Sequence, residues 1–254
     1  MLDEYLRKQH EKNGILLMTH IVLGYPSFDA SFEIVRAMVD AGVDLMELQI
    51  PFSEPIADGP VILKANQKAL KRGARVQQCI DFGGKVTEAF DIPFLYMTYC
   101  NILFRYGIGS FADGMATSGI RGAIVPDLPP EEGAEYLSAM AQRDLSPIFI
   151  FSPTTSVDRL AYLSEHCRGF VYCVARKGVT GQDTEFSEQL ESYLQRCRRA
   201  TSLPLAVGFG VRSRQDVEFL KGKADIAVIG SQTIRLIEEE GIESIGPFIR
   251  SLRP

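Results

Sequence analysis

DLMELQIPFSEPIADGP, residues 44 to 60, is the stretch from which the fold can be read. Its first seven residues, 44–50, form a short apolar run, and Pro51, Pro55 and Pro60 punctuate residues 51–60. A run that barely alternates reads as a strand covered on both faces, as in parallel sheets. Prolines cannot continue a central strand, so the chain leaves it as a constrained loop. Two carboxylates mark the segment, Glu47 within the strand and Asp58 on the loop.

Seven more runs of this kind lie on either side of it: ILLMTHIVL (15–23), FLYMTY (94–99), GAIVPD (122–127), PIFIF (147–151), GFVYCVA (169–175), LPLAVGF (203–209) and DIAVIG (225–230). Helical patterns separate them. In 27–42, Phe32, Val35, Met38 and Val39 recur at helical spacing between Ser27, a candidate N-cap, and Gly42, a candidate stop. Residues 131–143, 156–166, 187–199 and 213–222 follow the same logic, and 61–72 with 76–90 put two helices in the second crossover. Strand alternating with helix implies parallel βαβ units. Eight units in 254 residues favour a closed (β/α)8, or TIM, barrel over an open doubly wound sheet. Residues 2–12 add an N-terminal helix, and no linker divides 1–254, which reads as one barrel domain.

Composition excludes several function classes. A net charge of −5 without a clustered basic face argues against nucleic-acid binding. No apolar run reaches 18 residues, and the charged N-terminus MLDEYLRKQHEKNG lacks a signal-peptide core. Five cysteines, odd in number and without CxxC spacing, point to reduced thiols in a cytoplasmic protein. The three histidines, His10, His20 and His166, are dispersed, which gives a zinc site little support.

In such barrels the chemistry stands at the carboxyl ends of the strands. Glu47 lies there, flanked by Met46 and Leu48. Apolar surroundings tend to raise a carboxyl pKa towards neutrality and fit it for proton transfer; pairing with a nearby Lys or Arg, or pointing off the barrel rim, are the competing readings. Asp58 alone reads as a turn cap, but with Glu47 it fits a division of labour between two carboxylates. GFG (208–210) ends the seventh run, and Gly230-Ser231 ends the eighth before a helical segment. Exposed amides there suit a phosphate ester. ARKGVTGQDTEF (175–186) reads either as a loop closing over substrate or as an ordinary connection. Tyr99, Asn101, Asp127 and Tyr172 also map to strand ends, though Tyr172 taken alone reads rather as a half-buried packing residue.

MELQIPFSEPIADGP, IVPDLP, ARKGVTG, GFGV and GSQ, in this order and spacing, resemble the tryptophan synthase alpha subunit from LGYP (23–26) to the end of the chain. The resemblance implies a (β/α)8 barrel and retro-aldol cleavage of indole-3-glycerol phosphate to indole and glyceraldehyde 3-phosphate. By it, Glu47 is the acid/base that protonates the indole ring carbon, and Asp58 hydrogen-bonds the indole N–H. Tyr172 lies near the glycerol and indole, and Thr180 is the closing-loop residue that contacts the aspartate. Gly181, Phe209, Gly210, Gly230 and Ser231 form the phosphate pocket. The alpha chain holds no cofactor. Its partner is a pyridoxal-phosphate beta subunit in an α2β2 complex that receives the indole, with Glu54 and Pro129 near the contact. Against the family pattern the chain carries His20, Gln49, Glu54, Leu63, Lys177 and Gln232. At position 49 the bulky amide either supplies hydrogen bonds or fills substrate space. The working lyase has as its main alternative an alpha chain that chiefly activates its beta partner; a third reading, another barrel acting on a phosphorylated sugar or indole precursor, would not keep the carboxylate loop and GVTG.

Overall fold

A computed structural model describes residues 2–175 and 183–253, except for the side chains of 183–187. The strands are β1 (Leu16–Val22), β2 (Leu45–Gln49), β3 (Phe94–Met97), β4 (Gly122–Ile124), β5 (Ser146–Ile148), β6 (Ile150–Phe151), β7 (Val171–Val174), β8 (Leu205–Gly208) and β9 (Ile226–Ile229). Every pairing is parallel, in the order β5-β4-β3-β2-β1-β9-β8-β7-β6. The two ends of that order are halves of a single crossing. Ser146–Ile148 pairs with β4, Ile150–Phe151 pairs with β7, and Phe149 between them accepts a hydrogen bond from Tyr172 N at 3.0 Å. The eight apolar runs therefore give an eight-fold barrel whose fifth strand is split.

Around it lie α1 (Leu2–Asn13), α2 (Phe28–Asp40), α3 (Pro60–Lys71), α4 (Val76–Ala89), α5 (Cys100–Tyr106), α6 (Ile108–Thr117), α7 (Ala134–Gln142), α8 (Val157–His166), α9 (Asp183–Ala200), α10 (Arg214–Leu220), α11 (Ser231–Glu240) and α12 (Ile245–Leu252). Ser27 caps α2, its hydroxyl accepting from Ala30 N, and Gly42 takes a positive φ just beyond the helix end. The second crossover does hold two helices, α3 and α4. The helix expected over 131–143 begins only at Ala134, because Pro129–Gly133 is spent in turns closed by Glu132 N→Pro129 O and Gly133 N→Pro130 O. Sequence patterning leaves out α5, α6 and α12. Gly107, at φ 94°, separates the first two, and Pro247 sits within the first turn of α12, where a missing N–H is tolerated.

Strand side chains alternate between two cores. Leu17, Met46, Leu48, Tyr96 and Val171 face the helices. Leu16, Met18, Leu45, Leu95, Ile124, Ile148, Phe170, Ala206, Ile226 and Val228 fill the barrel, and Leu2 and Leu6 of α1 close its amino-terminal end. Below them Asp44 accepts from Leu17 N (2.7 Å), Asn13 Nδ2 (2.8 Å) and Arg253 Nη2 (2.6 Å), tying α1, β1 and the C-terminus together. The lower barrel is solid, and polar interior groups are left to the carboxyl end.

Candidate active site

β1 and β2 pair with His20 directly opposite Glu47. Side chains in register share a face, so both enter the barrel above the apolar layer of Leu16, Met18 and Leu45. Gln49, two residues beyond Glu47, enters nearer the mouth. All three are buried, Gln49 completely. His20 Nδ1 lies 3.1 Å from Glu47 Oε1. Among the described residues Glu47 Oε2, His20 Nε2 and Gln49 Oε1 have no hydrogen-bond partner. Leaving buried polar atoms unmatched is costly, and such atoms gather where a ligand completes the set.

The loop after β2 is pinned rather than loose. Phe52 N donates to Asn66 Oδ1 (2.9 Å), Asp58 N to Pro55 O (3.1 Å) and Ala57 N to Tyr99 Oη (3.2 Å). The Phe52 and Tyr99 rings stack at 5.0 Å. Asp58 is therefore more than a turn cap: its Oδ2 accepts from Gln49 Nε2 at 2.5 Å and from Tyr99 Oη at 3.2 Å. Gln49 supplies a hydrogen bond to the second carboxylate of the site.

The electrostatics obey this geometry. Burial raises the Asp58 pKa, against the pull of His20 and Gln49. Burial would lower that of His20, yet Glu47, helped by Asp58 and Gln49, outweighs it and leaves the imidazole raised above 6.5. Tyr172 is driven well above its ordinary value by burial first and then by the Glu47 and Asp58 carboxylates. Its ring lies over Gly208, where a Cβ would approach within 3.2 Å.

Across the mouth, Gly210 has φ 92° and Gly230 caps the N-terminus of α11, which opens on Ser231. A Cβ built at either glycine would meet nothing within 4 Å, so an open cradle faces a helix dipole. Phe209, just before Gly210, is buried and packs on Phe219. Leu63 on α3 and Gln232 on α11 are half-buried. Thr180, Gly181 and Lys177 lie outside the described residues. On the loops of the same end, Glu54 is exposed and Pro129 half-buried. Ile56 on the loop after β2 and Phe104 on α5, 77% and 79% exposed, are large apolar side chains offered to solvent. Asp127, another strand-end candidate, is spent on the backbone, its Oδ1 accepting from Cys100 N. Among the described residues no three His, Cys, Asp or Glu side chains gather to hold a metal ion.

The family model described as tryptophan synthase alpha chain matches residues 6–247. The chain belongs to the tryptophan synthase alpha chain family. It is 62% identical over 252 residues to the tryptophan synthase alpha chain of Desulforapulum autotrophicum, covering 99% of this chain and all of that one. Identity to the Syntrophotalea carbinolica alpha chain is 61% over 253 residues, the whole of both. The fold is similar to a chain in tryptophan synthase from M. tuberculosis in its aminoacrylate-bound form, with TM-score 0.91, 30% identity and 99% and 97% of the two chains covered. A chain of the Pyrococcus furiosus tryptophan synthase complex gives 0.86 at 28% identity, covering 93% and 97%.

Sequence reading singles out Glu47, Asp58, Tyr172 and the glycines and leaves open whether Gln49 supplies hydrogen bonds, but it does not show what His20 and Tyr99 do for the carboxylates. The signal for His20 was present. It is the one ionisable residue in β1, whose other residues are apolar apart from Thr19, and it lies two strand positions from Met18, and so on the barrel's inner face.

Proposed function

We propose that Glu47 and Asp58 divide between them the reaction of this family, the retro-aldol cleavage of indole-3-glycerol phosphate to indole and glyceraldehyde 3-phosphate. Breaking the bond between indole and glycerol requires a proton on the ring carbon and loss of one from the adjacent hydroxyl, which becomes the aldehyde. Glu47 suits the proton transfers. It is rigidly set on β2, and one carboxylate oxygen is uncommitted among the described residues. Protonating the ring spreads positive charge to the indole nitrogen, and Asp58, steadied by Gln49 and Tyr99, accepts the N–H as that charge grows. Gly210, Gly230 and Ser231, with Phe209 and Gly181, hold the phosphate, while Tyr172 and Thr180 complete the glycerol and loop contacts.

The observation that carries this reading is the placement of the carboxylates, one buried and free at one oxygen, the other pinned at the mouth. Glu47→Gln keeps size but not acidity, so indole release should disappear while the fold remains; an unchanged rate refutes the assignment.

The alpha chain of this family has no cofactor of its own, and pyridoxal phosphate belongs to the beta subunit. We assign the exposed Ile56 and Phe104, with Glu54 and Pro129, to the contact with that subunit in an α2β2 complex. Large apolar groups at one rim are how such a contact is prepared. Five free cysteines accord with a cytoplasmic location. The regulatory alternative is tested by indole release measured with and without the beta subunit. No release in either case, with beta activity still stimulated, would favour it.

A further inference from the structure

We propose that His20 is the positioning residue for Glu47, so that a His–Glu pair sharing one proton, rather than Glu47 alone, serves as the proton donor of the site. This rests on the reading of Glu47 given above. Three observations carry it. The two side chains stand opposite each other in the β1–β2 register and meet at 3.1 Å through Nδ1 and Oε1. Both are almost wholly buried, at 4% and 3% exposure, where an unpaired charge is costly and a neutralised pair is not. The contact uses one atom of each and leaves Glu47 Oε2 and His20 Nε2 without partners among the described residues. Beneath it, Thr233 Oγ1 of α11 donates to Gly230 O at 2.8 Å and lies 3.3 Å from His20 O.

The proton count closes. The pair begins with one proton between Glu47 and His20. Glu47 passes it to the ring carbon, and the carboxylate so formed keeps the Nδ1–H hydrogen bond of neutral His20. The hydroxyl that turns into the aldehyde returns one proton to the carboxylate, which restores the pair for the next turnover. The groups facing His20 are Glu47 from β2 and Asp58 from the loop after it, with Gln49 as a neutral neighbour; Tyr172 from β7 and Tyr99 after β3 reach it through those carboxylates. Both carboxylates favour the charged imidazolium, which raises the pH at which the pair gives up its last proton.

The test uses the full chain and indole-3-glycerol phosphate, with His20→Leu, His20→Asn and Glu47→Gln. Leucine removes both hydrogen bond and proton, and kcat should fall about 10- to 100-fold, a share of what positioned proton transfer supplies, with KM little changed. Asparagine places an amide N–H where Nδ1–H stood but does not titrate. It should recover much of the rate, with the alkaline limb of the kcat–pH profile moved to lower pH, because a carboxylic acid is ordinarily a stronger acid than an imidazolium. Imidazole NMR resolves the pairing directly, since only three histidines are present. The His20 titration should lie above 6.5 in the parent and fall in Glu47→Gln. Parental rates and profiles in both His20 variants overturn the proposal, as does an equal loss at every pH in both, which marks a packing role. If Glu47→Gln is inactive yet the His20 titration does not move, the pairing alone is wrong. If Glu47→Gln keeps its rate, the assignment of Glu47 itself fails.

Discussion

Gln49→Met removes one amide and little volume, and it isolates what Gln49 does. The amide donates to Asp58 Oδ2 at 2.5 Å, and among the described residues Tyr99 at 3.2 Å is the other side-chain donor to that oxygen. A hydrogen bond to a charged group contributes about 1.5–3 kcal/mol. If Asp58 must be ionised and aimed when the indole nitrogen gains charge, losing that bond raises the barrier by up to this amount. The rate then falls about 10- to 150-fold. Gln49 also favours the ionised form of Asp58, so its loss adds to the effect of burial and raises the Asp58 pKa further. Asp58 then becomes protonated at a higher pH, and the acid limb of the kcat profile shifts upward. Steady-state indole release between pH 5 and 9, read for Gln49→Met and Gln49→Gly, decides it. Both should be slower, with the acid limb moved up. A faster Gln49→Gly enzyme would refute this reasoning and show that the amide occupies space the substrate needs.

Two further outcomes concern stability. Gly83→Ala in α4 would normally gain helix propensity, but its Cβ would sit on the Tyr96 hydroxyl that donates to Cys79 O at 3.0 Å. A net loss of about 1–3 kcal/mol is expected, or several degrees in Tm by calorimetry; an unchanged Tm would show that Tyr96 is free to move. Glu238 joins α11 to α3 through Lys68 (2.7 Å) and Lys64 (3.3 Å) and accepts from Tyr25 Oη (2.6 Å), which lowers its pKa from 4.5 to about 2. A lowered carboxyl pKa stabilises above 4.5 and ceases to do so as pH falls towards 2. Glu238→Gln should therefore cost about 1 kcal/mol at pH 7, the scale of screened surface pairs, and progressively less below pH 4.5. A penalty that is the same at pH 7 and pH 3 would show that it does not arise from the charge.

The barrel was legible because each strand is short, apolar and separated from the next by a helical repeat, so that eight similar units repeat themselves. What escaped was local. Gly107 and Pro247 resemble breakers, yet one joins two helices and the other sits in a first turn that needs no N–H. The split at Phe149 depends on which neighbour each half pairs with, information that spacing does not contain. In the site, the carboxylates and glycines were visible as residue types at strand ends. Their partners were not, because the contacts of His20 with Glu47 and of Gln49 with Asp58 arise from strand register and loop path. Residues that looked like departures from a pattern, His20 and Gln49, are the ones that touch the two carboxylates.

The layer of Leu16, Leu45, Phe170 and Ile226, sealed beneath by Leu2 and Leu6, has a consequence for traffic. The barrel is a cup with one opening. A molecule as small and oily as indole, once released, has no drain through the base and must depart over the rim by which its parent entered. Whatever receives it has to stand at that rim, and there the chain displays the bare side chains of Ile56 and Phe104.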